Sequence, residues 1–453
     1  MRLDLKEPIC ALITPAGTAA INVIRISGEG SIGIVAAHFD SPHKLLKAKG
    51  KQIVYGVFLD ADKQPLDEVL CSIFRAPHSY TGDDTVEISC HGNPRIAARI
   101  LELLLSSARL ANPGEFTLRA MHNNKIDLIQ AEAINDLISA PTSRSGSAAL
   151  SQTRGVLSNS LKSILERITH ARLRCEMAID FADQDLPQID TEALINDLAR
   201  LDSEVSQLCE QGSQGRYIRE GIRICLAGAP NSGKSSLFNA FLKHNRAIVT
   251  PHPGTTRDYL EETLSLRGYA IILYDTAGLR DTSDEVEQQG IDRSRELMFD
   301  ADLVLFLIDA SRLAEHKEDD IPQGLGNKIQ IVISKADLLE KDDLEGLLGT
   351  GSIPASAISP DGLDELSEAI LERFQLAEPL PERPLVTNTR HLAALRSCGE
   401  GLQNALVALR SGLGFEFAAF DLISASAALE QILGVITPDD LLERIFADFC
   451  IGK

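Results

Sequence analysis

The chain has 453 residues, 44% of them hydrophobic and 24% charged, which is typical of globular proteins and leaves room for about three domains. Its 44 basic and 65 acidic residues give a formal net charge of -21, which argues against a whole-surface electrostatic grip on nucleic acid and leaves a local basic patch open. Because the 8 cysteines include no C-x-x-C pair, we predict neither a zinc site nor a disulfide framework, but reduced thiols and a cytoplasmic location.

Residues 1–120 are predicted to form an α+β domain. Strand-like runs cover 21–26, 52–59, 68–74 and 84–90, and a helical period covers 94–105. The uncharged run 9–24 is interrupted by Pro15 and Gly17, which favours strand, turn and strand over a signal or membrane segment. Four polar residues stand in or near apolar runs, and their spacing alone favours structural roles over ligand contacts: Arg25, Glu87, His91 and Lys125.

Two stretches of the chain show apolar residues at every third and fourth position, from about 128 to 208 and from about 384 to 453. Both are predicted to form helical bundle material, and Pro187 predicts a break between two long helices. Strand-rich sequence separates the two stretches. We therefore predict one discontinuous helical domain, residues 121–216 and 381–453, into which a nucleotide-binding domain, residues 217–380, is inserted.

Residues 228–236, GAPNSGKSS, match the phosphate-binding pattern G-x-x-x-x-G-K-[ST]. An apolar run at 222–227 precedes them and a helical start at 236–242 follows, which is the context that this loop requires. Glycines let backbone N–H groups turn towards a phosphate, and the helix N-terminus adds a favourable partial charge. Lys234 is predicted to reach the β- and γ-phosphates and Ser235 to bind magnesium. A chance glycine-rich turn is the alternative.

Apolar strands alternate with helices from about 221 to 376, which predicts a parallel sheet whose ligands lie at the carboxyl ends of its strands. Three further motifs follow in order. Thr256 of GTTRD is predicted to bind magnesium, Asp275 of DTAG to hold it through water, and the Gly278 amide to sense the γ-phosphate. Asp337 of SKAD is placed to accept hydrogen bonds from the N1–H and the exocyclic amine of guanine. Adenine lacks this pair of donors.

Loop and motif positions together give the residues predicted to contact GTP: Asn231, Ser232, Gly233, Lys234, Ser235, Ser236, Gly254, Thr255, Thr256, Asp275, Thr276, Ala277, Gly278, Ser334, Lys335, Asp337, Ser356, Ala357 and Ile358. Ser334 departs from the usual N-K-x-D. Because a serine is shorter than an asparagine, it makes fewer links between the base and the phosphate loop. We expect guanine selectivity to survive through Asp337, at lower affinity.

The residue that follows D-x-x-G is a water-orienting glutamine in Ras-like GTPases, and here it is Leu279, which cannot hydrogen-bond water. Another group must then orient the attacking water. Acidic residues crowd the next loop, namely Asp281, Asp284, Glu285 and Glu287. The loop is either a solvated acidic segment or the source of that group.

The segments GAPNSGKSSLFN, PGTTRD, DTAGLR and DEVE, the inserted domain order and the terminal FCIGK resemble the MnmE (TrmE) family of tRNA-modification GTPases over essentially the full length. The resemblance implies a multidomain α/β and α fold: an α+β N-terminal domain, a discontinuous helical domain and an inserted Ras-like P-loop GTPase domain with a parallel-rich sheet. It also implies that GTP hydrolysis depends on potassium and on two G domains meeting face to face. Potassium stands in for an arginine finger, which is worth about 10³ to 10⁵ in rate.

Several residue roles follow from the resemblance alone. Glu287 matches the water-orienting glutamate, and with Lys234, Asn231 and Gly278 it forms the expected catalytic set. The loop implied to hold potassium and contact the nucleotide is Thr250, Pro251, His252, Pro253, Gly254 and Thr255, with Asn231 beside it and with Thr250, His252 and Thr255 as ion ligands.

The resemblance further implies an N-terminal domain that forms a homodimer and binds 5-formyl- or 5,10-methylene-tetrahydrofolate. The matching folate residues are Arg25, Glu87, Lys125, Cys450 and Lys453. With the flavoprotein MnmG, in a heterotetramer or larger complex away from membranes, the family installs an aminomethyl or carboxymethylaminomethyl group at C5 of the wobble uridine of tRNA. Two alternatives stay open: a GTPase switch without modification chemistry, and a folate-dependent enzyme whose G domain is only regulatory.

Overall fold

The computed structural model describes residue 5 and residues 7–180, 190–244, 260–275, 295–315, 322–339, 351–376, 384–436, 439–447 and 449–453. The chain divides into two compact units. The first comprises Met1–Asn135, Thr153–Leu165 and Ala427–Lys453, and the second comprises Asp136–Gln152 and Glu166–Ser426. The domain limits proposed from the sequence, at residues 120, 216 and 380, stay a prediction.

A six-stranded sheet lies in the first unit. Its strands are β1 (Ile9–Leu12), β2 (Ile21–Ser27), β3 (Gln52–Leu59), β4 (Pro65–Phe74), β5 (Thr85–His91) and β6 (Arg109–Leu110), in the order β3-β4-β5-β2-β1-β6. All pairs are antiparallel except β1 with β6. The helices of this region are α1 (Ser31–Ala37), α2 (Pro42–Lys47), α3 (Pro94–Leu104) and α4 (Glu115–His122).

Alternation along β2 explains how this sheet buries one face. Ile24 and Ile26 of β2 are fully buried in a core that also takes Ile88 of β5 and Leu104 of α3, as a period of two along a strand requires. The run 9–24 forms β1 and β2, which pair antiparallel, so the predicted strand, turn and strand are confirmed. Among the described residues, no helix combines the length and the apolar composition that crossing a bilayer requires.

Long helices follow the first sheet: α5 (Leu128–Ser139), α6 (Ser143–Thr153), α7 (Val156–Asp180) and α8 (Thr191–Glu220). Pro187 lies outside the described residues, between the end of α7 and the start of α8. The carboxylate of Asp190 accepts a hydrogen bond from the Ala193 N–H at 2.9 Å and so caps α8.

The second unit contains a second six-stranded sheet. Its strands are β7 (Ile222–Gly228), β8 (Leu260–Leu266), β9 (Tyr269–Asp275), β10 (Leu303–Asp309), β11 (Ile329–Ser334) and β12 (Ile353–Pro354), in the order β12-β11-β10-β7-β9-β8. Only β8 runs antiparallel to its neighbour. The predicted parallel-rich sheet is confirmed. Because β7, β9, β10 and β11 are parallel, their carboxyl ends share one edge, where such sheets bind ligands.

Helix α9 (Lys234–His244) lies between β7 and β8 in the chain. The helices that follow the second sheet are α10 (Pro360–Arg373), α11 (Thr389–Ser411), α12 (Phe415–Leu433) and α13 (Asp439–Ala447). Helix α8 meets the segment before α11 very closely: a Cβ at Gly215 would lie 2.0 Å from the carbonyl oxygen of Val386. Glycine is therefore required at that position of α8. Together with the two sheets, these helices confirm the multidomain α/β and α fold class.

Candidate functional site

The phosphate-binding loop connects the end of β7 to the start of α9. Gly228 has φ +136°, and a Cβ there would lie 2.4 Å from the Leu307 carbonyl oxygen on β10, so that only glycine fits. Asn231 and Gly233 also have positive φ, of 64° and 90°. Helix α9 begins at Lys234, two residues before the helical start that the sequence predicts. The loop therefore turns tightly into a helix N-terminus, which is where backbone N–H groups receive an anion.

Lys234 folds back over this loop. Its buried side chain donates hydrogen bonds from Nζ to the carbonyl oxygens of Gly228 and Ala229, at 2.9 and 2.8 Å. The ammonium group is thus held beside the loop by the loop's own backbone. This placement puts a fixed positive charge at the site where the sequence predicts the β- and γ-phosphates.

Ser235 and Asp275 come from different elements and meet at the edge of the second sheet. The hydroxyl of Ser235, in the first turn of α9, donates to Oδ2 of Asp275 at the end of β9, at 3.0 Å. Asp275 is 1% exposed. A hydroxyl and a carboxylate oxygen are the ligand types that Mg²⁺ prefers in nucleotide sites, so this pair fits the predicted magnesium site.

The predicted guanine motif begins at the last residue of β11. The hydroxyl of Ser334 donates to the carbonyl oxygen of Ser232 in the phosphate loop at 2.6 Å, and it lies 3.1 Å from the carbonyl oxygen of Ile308. The sequence led us to expect that a serine links the two parts of the site poorly. The structure shows that its short side chain still reaches the phosphate loop, because β11 ends close to that loop.

Asp337 is oriented by contacts with the segment from Ser356 to Ile358, which the sequence also predicts to contact the base. The hydroxyl of Ser356 donates to Oδ1 of Asp337 at 2.6 Å, and the Ile358 N–H donates to the Ser356 hydroxyl oxygen at 3.3 Å. The Ala336 N–H donates to the carbonyl oxygen of Ala355 at 3.1 Å. The structure therefore brings Ser334, Asp337 and the segment from Ser356 to Ile358 together.

One residue of this edge was missed by the sequence interpretation. Asp309 ends β10, and its Oδ2 accepts a hydrogen bond from Nζ of Lys335 at 2.6 Å. Burial raises the pKa of Asp309, but hydrogen bonds from Lys335 and Ser311 outweigh burial and hold that pKa below its usual value. The available signal was an aspartate that closes the apolar run LVLFLID, just as Asp275 closes YAIILYD.

The other predicted nucleotide and potassium residues lie outside the described part of the chain. They are Thr250, Pro251, His252, Pro253, Gly254, Thr255, Thr256, Thr276, Ala277, Gly278 and Glu287.

In the first unit, Arg25 of β2 stands directly opposite Glu87 of β5 in the antiparallel ladder. Nε and Nη2 of Arg25 donate to Oε1 of Glu87 at 3.0 and 2.7 Å. The guanidinium carbon also lies 5.4 Å from the ring centres of both Tyr80 and Phe116. Arg25 is therefore held between a carboxylate and two aromatic rings, in a half-buried position.

The C-terminal tail reaches the same place. Nη1 of Arg25 donates to the carbonyl oxygen of Gly452 at 3.4 Å, and the Phe116 N–H donates to the carbonyl oxygen of Lys453 at 3.1 Å. Burial and the charge of Arg25 lower the pKa of Lys453, although Cys450 and Glu87 act in the opposite direction. The thiol-bearing residue Cys450 is exposed.

Four of the five predicted folate residues thus lie in one cluster. The fifth, Lys125, contacts a different segment, because its Nζ donates to the carbonyl oxygen of Pro77 at 2.8 Å.

Two family models match this chain. The family model described as MnmE helical domain matches residues 128–450, and the model described as GTP-binding protein TrmE N-terminus matches residues 8–125. The tRNA modification GTPase MnmE of Aquifex aeolicus is 41% identical over 454 residues, covering 99% of this chain and 100% of that protein. The protein of the same name from Moorella thermoacetica is 42% identical over 464 residues, with the same coverage.

A solved structure of Aquifex aeolicus Era bound to GDP and AlF4- is 27% identical and covers 40% of this chain and 66% of its own, with a TM-score of 0.28. That score is too low to assign a fold, so membership is decided by the family models and the sequence relatives. One model covers more than half of the chain, and two relatives match nearly all of it at 41% and 42% identity. The chain belongs to the MnmE family of tRNA modification GTPases.

Proposed function

We propose that this protein hydrolyses GTP to drive modification of the wobble uridine of tRNA in the cytoplasm. It acts as a homodimer together with the flavoprotein MnmG, in a heterotetramer or larger complex. The product is 5-aminomethyl- or 5-carboxymethylaminomethyl-uridine, made with a one-carbon tetrahydrofolate. The family to which the chain belongs supports this proposal, since its curated relatives are named for a GTPase and for tRNA modification.

The observation that carries the GTPase part is the contact between Ser235 and Asp275. Their side-chain oxygens lie 3.0 Å apart at the strand edge that also holds the phosphate loop. In the proposed site, Ser235 binds magnesium directly, Asp275 binds it through water, and Lys234 meets the β- and γ-phosphates. The bound metal neutralises charge on the phosphates. Thr256 completes the magnesium ligands, and the backbone amide of Gly278 contacts the γ-phosphate.

Guanine is read by Asp337, whose carboxylate suits the N1–H and exocyclic amine of that base. Support comes from the Ser356 hydroxyl, which donates to one carboxylate oxygen at 2.6 Å and so restricts the rotation of the group. The hydroxyl of Ser334 keeps this base side connected to the phosphate loop. In this proposal, Ser334 replaces the usual asparagine in linking the base side to the phosphate loop.

A potassium ion is proposed to bind between Asn231 and the loop that carries Thr250, His252 and Thr255. Asn231 is an exposed residue of the phosphate loop, and an amide oxygen is a suitable ligand for a hard cation. A monovalent cation there supplies positive charge next to the phosphates, where negative charge develops during hydrolysis. Glu287 orients the attacking water.

The folate part of the proposal is supported by the charges around the C-terminal tail. Arg25 and Lys453 are two half-buried cations, and burial, together with the repulsive charge of Arg25, lowers the pKa of Lys453. An anionic ligand such as a folate tail relieves that repulsion. Glu87 offers a carboxylate to the donor groups of a pterin ring. The proposed domain roles follow: a folate and dimer domain (1–120), a helical domain (121–216 and 381–453) and a G domain (217–380).

The first experiment compares GTP hydrolysis in potassium and in sodium at equal ionic strength. We expect strong potassium stimulation that Asn231→Ala abolishes while GTP binding persists. Asn404→Ala is the matched control, since Asn404 is an exposed asparagine on α11. Equal slow hydrolysis rates in both salts would refute the proposed potassium site, but not the proposed binding of GTP.

Two further measurements separate this proposal from its alternatives. Removal of residues 450–453 is expected to abolish binding of 5-formyl-tetrahydrofolate; a chain that acts only as a switch has no such binding to lose. Glu287→Ala is expected to bind GTP, fail to hydrolyse it and lose tRNA modification in the presence of MnmG. Modification that persists would show a G domain that is only regulatory.

A further inference from the structure

Asp309 occupies a defined position at the nucleotide edge. In the parallel ladder between β10 and β11 it stands opposite Ser334, and its side chain is 10% exposed. Its Oδ1 accepts hydrogen bonds from the N–H and the hydroxyl of Ser311 at 3.0 and 2.8 Å, and its Oδ2 accepts one from Nζ of Lys335 at 2.6 Å. Both oxygens are engaged, so the carboxylate cannot rotate without breaking a bond.

Lys335 is the residue that this carboxylate holds. It has φ +57° and ψ +37°, a left-handed conformation that residues with a Cβ seldom adopt, and it joins Ser334 to the base-reading turn. Its side chain is 43% exposed and has four rotatable bonds, so without an anchor it would sample many rotamers. The ion pair with Asp309 joins the end of this side chain to the end of β10.

The sheet itself does not need this ion pair. Strands β10 and β11 are paired over six residues, from Val304 with Ile329 to Asp309 with Ser334, and β10 is buried along its whole length. The charge-assisted hydrogen bond between Asp309 and Lys335 is therefore not needed to hold the two strands together, and its main effect is on the position of Lys335.

We propose that Asp309 is a positioning residue for guanine nucleotides: it holds Lys335 in place at the base side of the site before the nucleotide arrives. This inference rests on the proposed base site at Ser334 to Asp337. Preorganisation strengthens binding because the ligand does not have to order the lysine side chain itself. The effect belongs to binding of the base, so it is equal for GDP and GTP.

The test is the affinity of Asp309→Asn for GDP and for GTP, measured with the full-length protein by titration calorimetry. Asparagine keeps the shape and removes the charge. We expect about tenfold weaker binding of both nucleotides, as for the loss of one charge-assisted hydrogen bond. The matched control is Asp302→Asn, because Asp302 precedes the other end of β10 and pairs with Arg216 at 3.2 Å. It should bind both nucleotides as the unaltered protein does.

A double-mutant cycle with Lys335→Met separates positioning from a general structural effect. If Asp309 acts through Lys335, the double variant binds no more weakly than Lys335→Met alone. An equal further loss in the double variant would overturn the proposal, as would unaltered affinity of Asp309→Asn. Ser311→Ala provides a milder test, should Asp309→Asn not fold, because it loosens the carboxylate without removing it. Its loss of affinity should likewise vanish in the Lys335→Met background, and a loss that persists there would count against the proposal.

Asp337→Ala distinguishes failure of this inference from failure of the base site on which it rests. Unaltered guanine nucleotide binding by Asp337→Ala would overturn both. Weakened binding by Asp337→Ala together with unaltered binding by Asp309→Asn would overturn only the role of Asp309.

Discussion

Replacing Ser334 with alanine tests how the base side and the phosphate loop are connected. The change removes one hydroxyl, whose single proton is directed to the Ser232 carbonyl at 2.6 Å, with the Ile308 carbonyl at 3.1 Å as a weaker partner. Because one proton serves both contacts, only one hydrogen bond is lost. The cost of a hydrogen bond whose partner is left buried is about 1–2 kcal/mol, and Ser334 is 6% exposed.

That energy sets the expected loss of affinity. If the whole cost falls on the nucleotide-bound state, the affinity for GTP drops by about 5- to 30-fold. The assay is equilibrium binding of GTP and GDP, with thermal unfolding of the same samples to verify folding. A fall in affinity without a matching fall in unfolding temperature would locate the effect in the site.

The matched control is Ser367→Ala on α10. Ser367 is also 6% exposed, but its hydroxyl has no hydrogen-bond partner within the described part of the chain. The two variants therefore make the same chemical change at the same burial, and only one breaks a link to the phosphate loop. If Ser334→Ala binds GTP within about twofold of the unaltered protein, a difference below about 0.5 kcal/mol, the proposed connection does not contribute to binding.

Three further predictions concern other parts of the chain. Gly215→Ala should destabilise the protein by about 1–3 kcal/mol, seen as a lower unfolding temperature, because its Cβ would lie 2.0 Å from the Val386 carbonyl oxygen. His91 should titrate above 6.5 in an NMR experiment, since its hydrogen bond to Asp67 raises its pKa. Alkylation of the native protein should modify the exposed Cys450 first, whereas burial raises the pKa of the Cys225 thiol to about 12 and keeps it unreactive.

Each of these predictions has a control and a contrary result. Gly399→Ala, where a Cβ would find its nearest neighbour at 3.7 Å, should be tolerated, and equal destabilisation by both variants would contradict the steric argument. Asp67→Asn should return the pKa of His91 towards its ordinary value. Because the pKa of His91 is raised in the folded protein, its pairing with Asp67 stabilises the folded state below about pH 6.5. This contribution is lost as the pH rises through the pKa of His91 in the folded protein. Alkylation that is unaltered by Cys450→Ser would identify another cysteine as the reactive one.

Local sequence was enough to predict the phosphate loop and most strands, but it missed the short helices α1, α2 and α4 of the first unit. Glycines at 228 and 233, a lysine at 234 and an apolar run on the preceding side specify a strand, a tight turn and a helix, because each requirement acts over a few neighbouring residues. The same holds for the alternation along β2 and for the helical periods. The end of α9 nearest the loop was misplaced by two residues, since the turn and the helix share Lys234.

Contacts between distant segments were decided by the tertiary structure. The Ser334 hydroxyl reaches a residue 102 positions earlier, Lys335 reaches one 26 positions earlier, and Arg25 reaches one 427 positions later. The strand order places β11, β10 and β7 side by side. The apolar pattern of a single strand does not predict which strands become its neighbours. By itself the sequence determined which local shapes form and which chemistry they carry. Only the packing of strands and of the C-terminal tail decided that Asp309 holds Lys335 and that Lys453 meets Arg25, because a contact depends on where both partners lie in space.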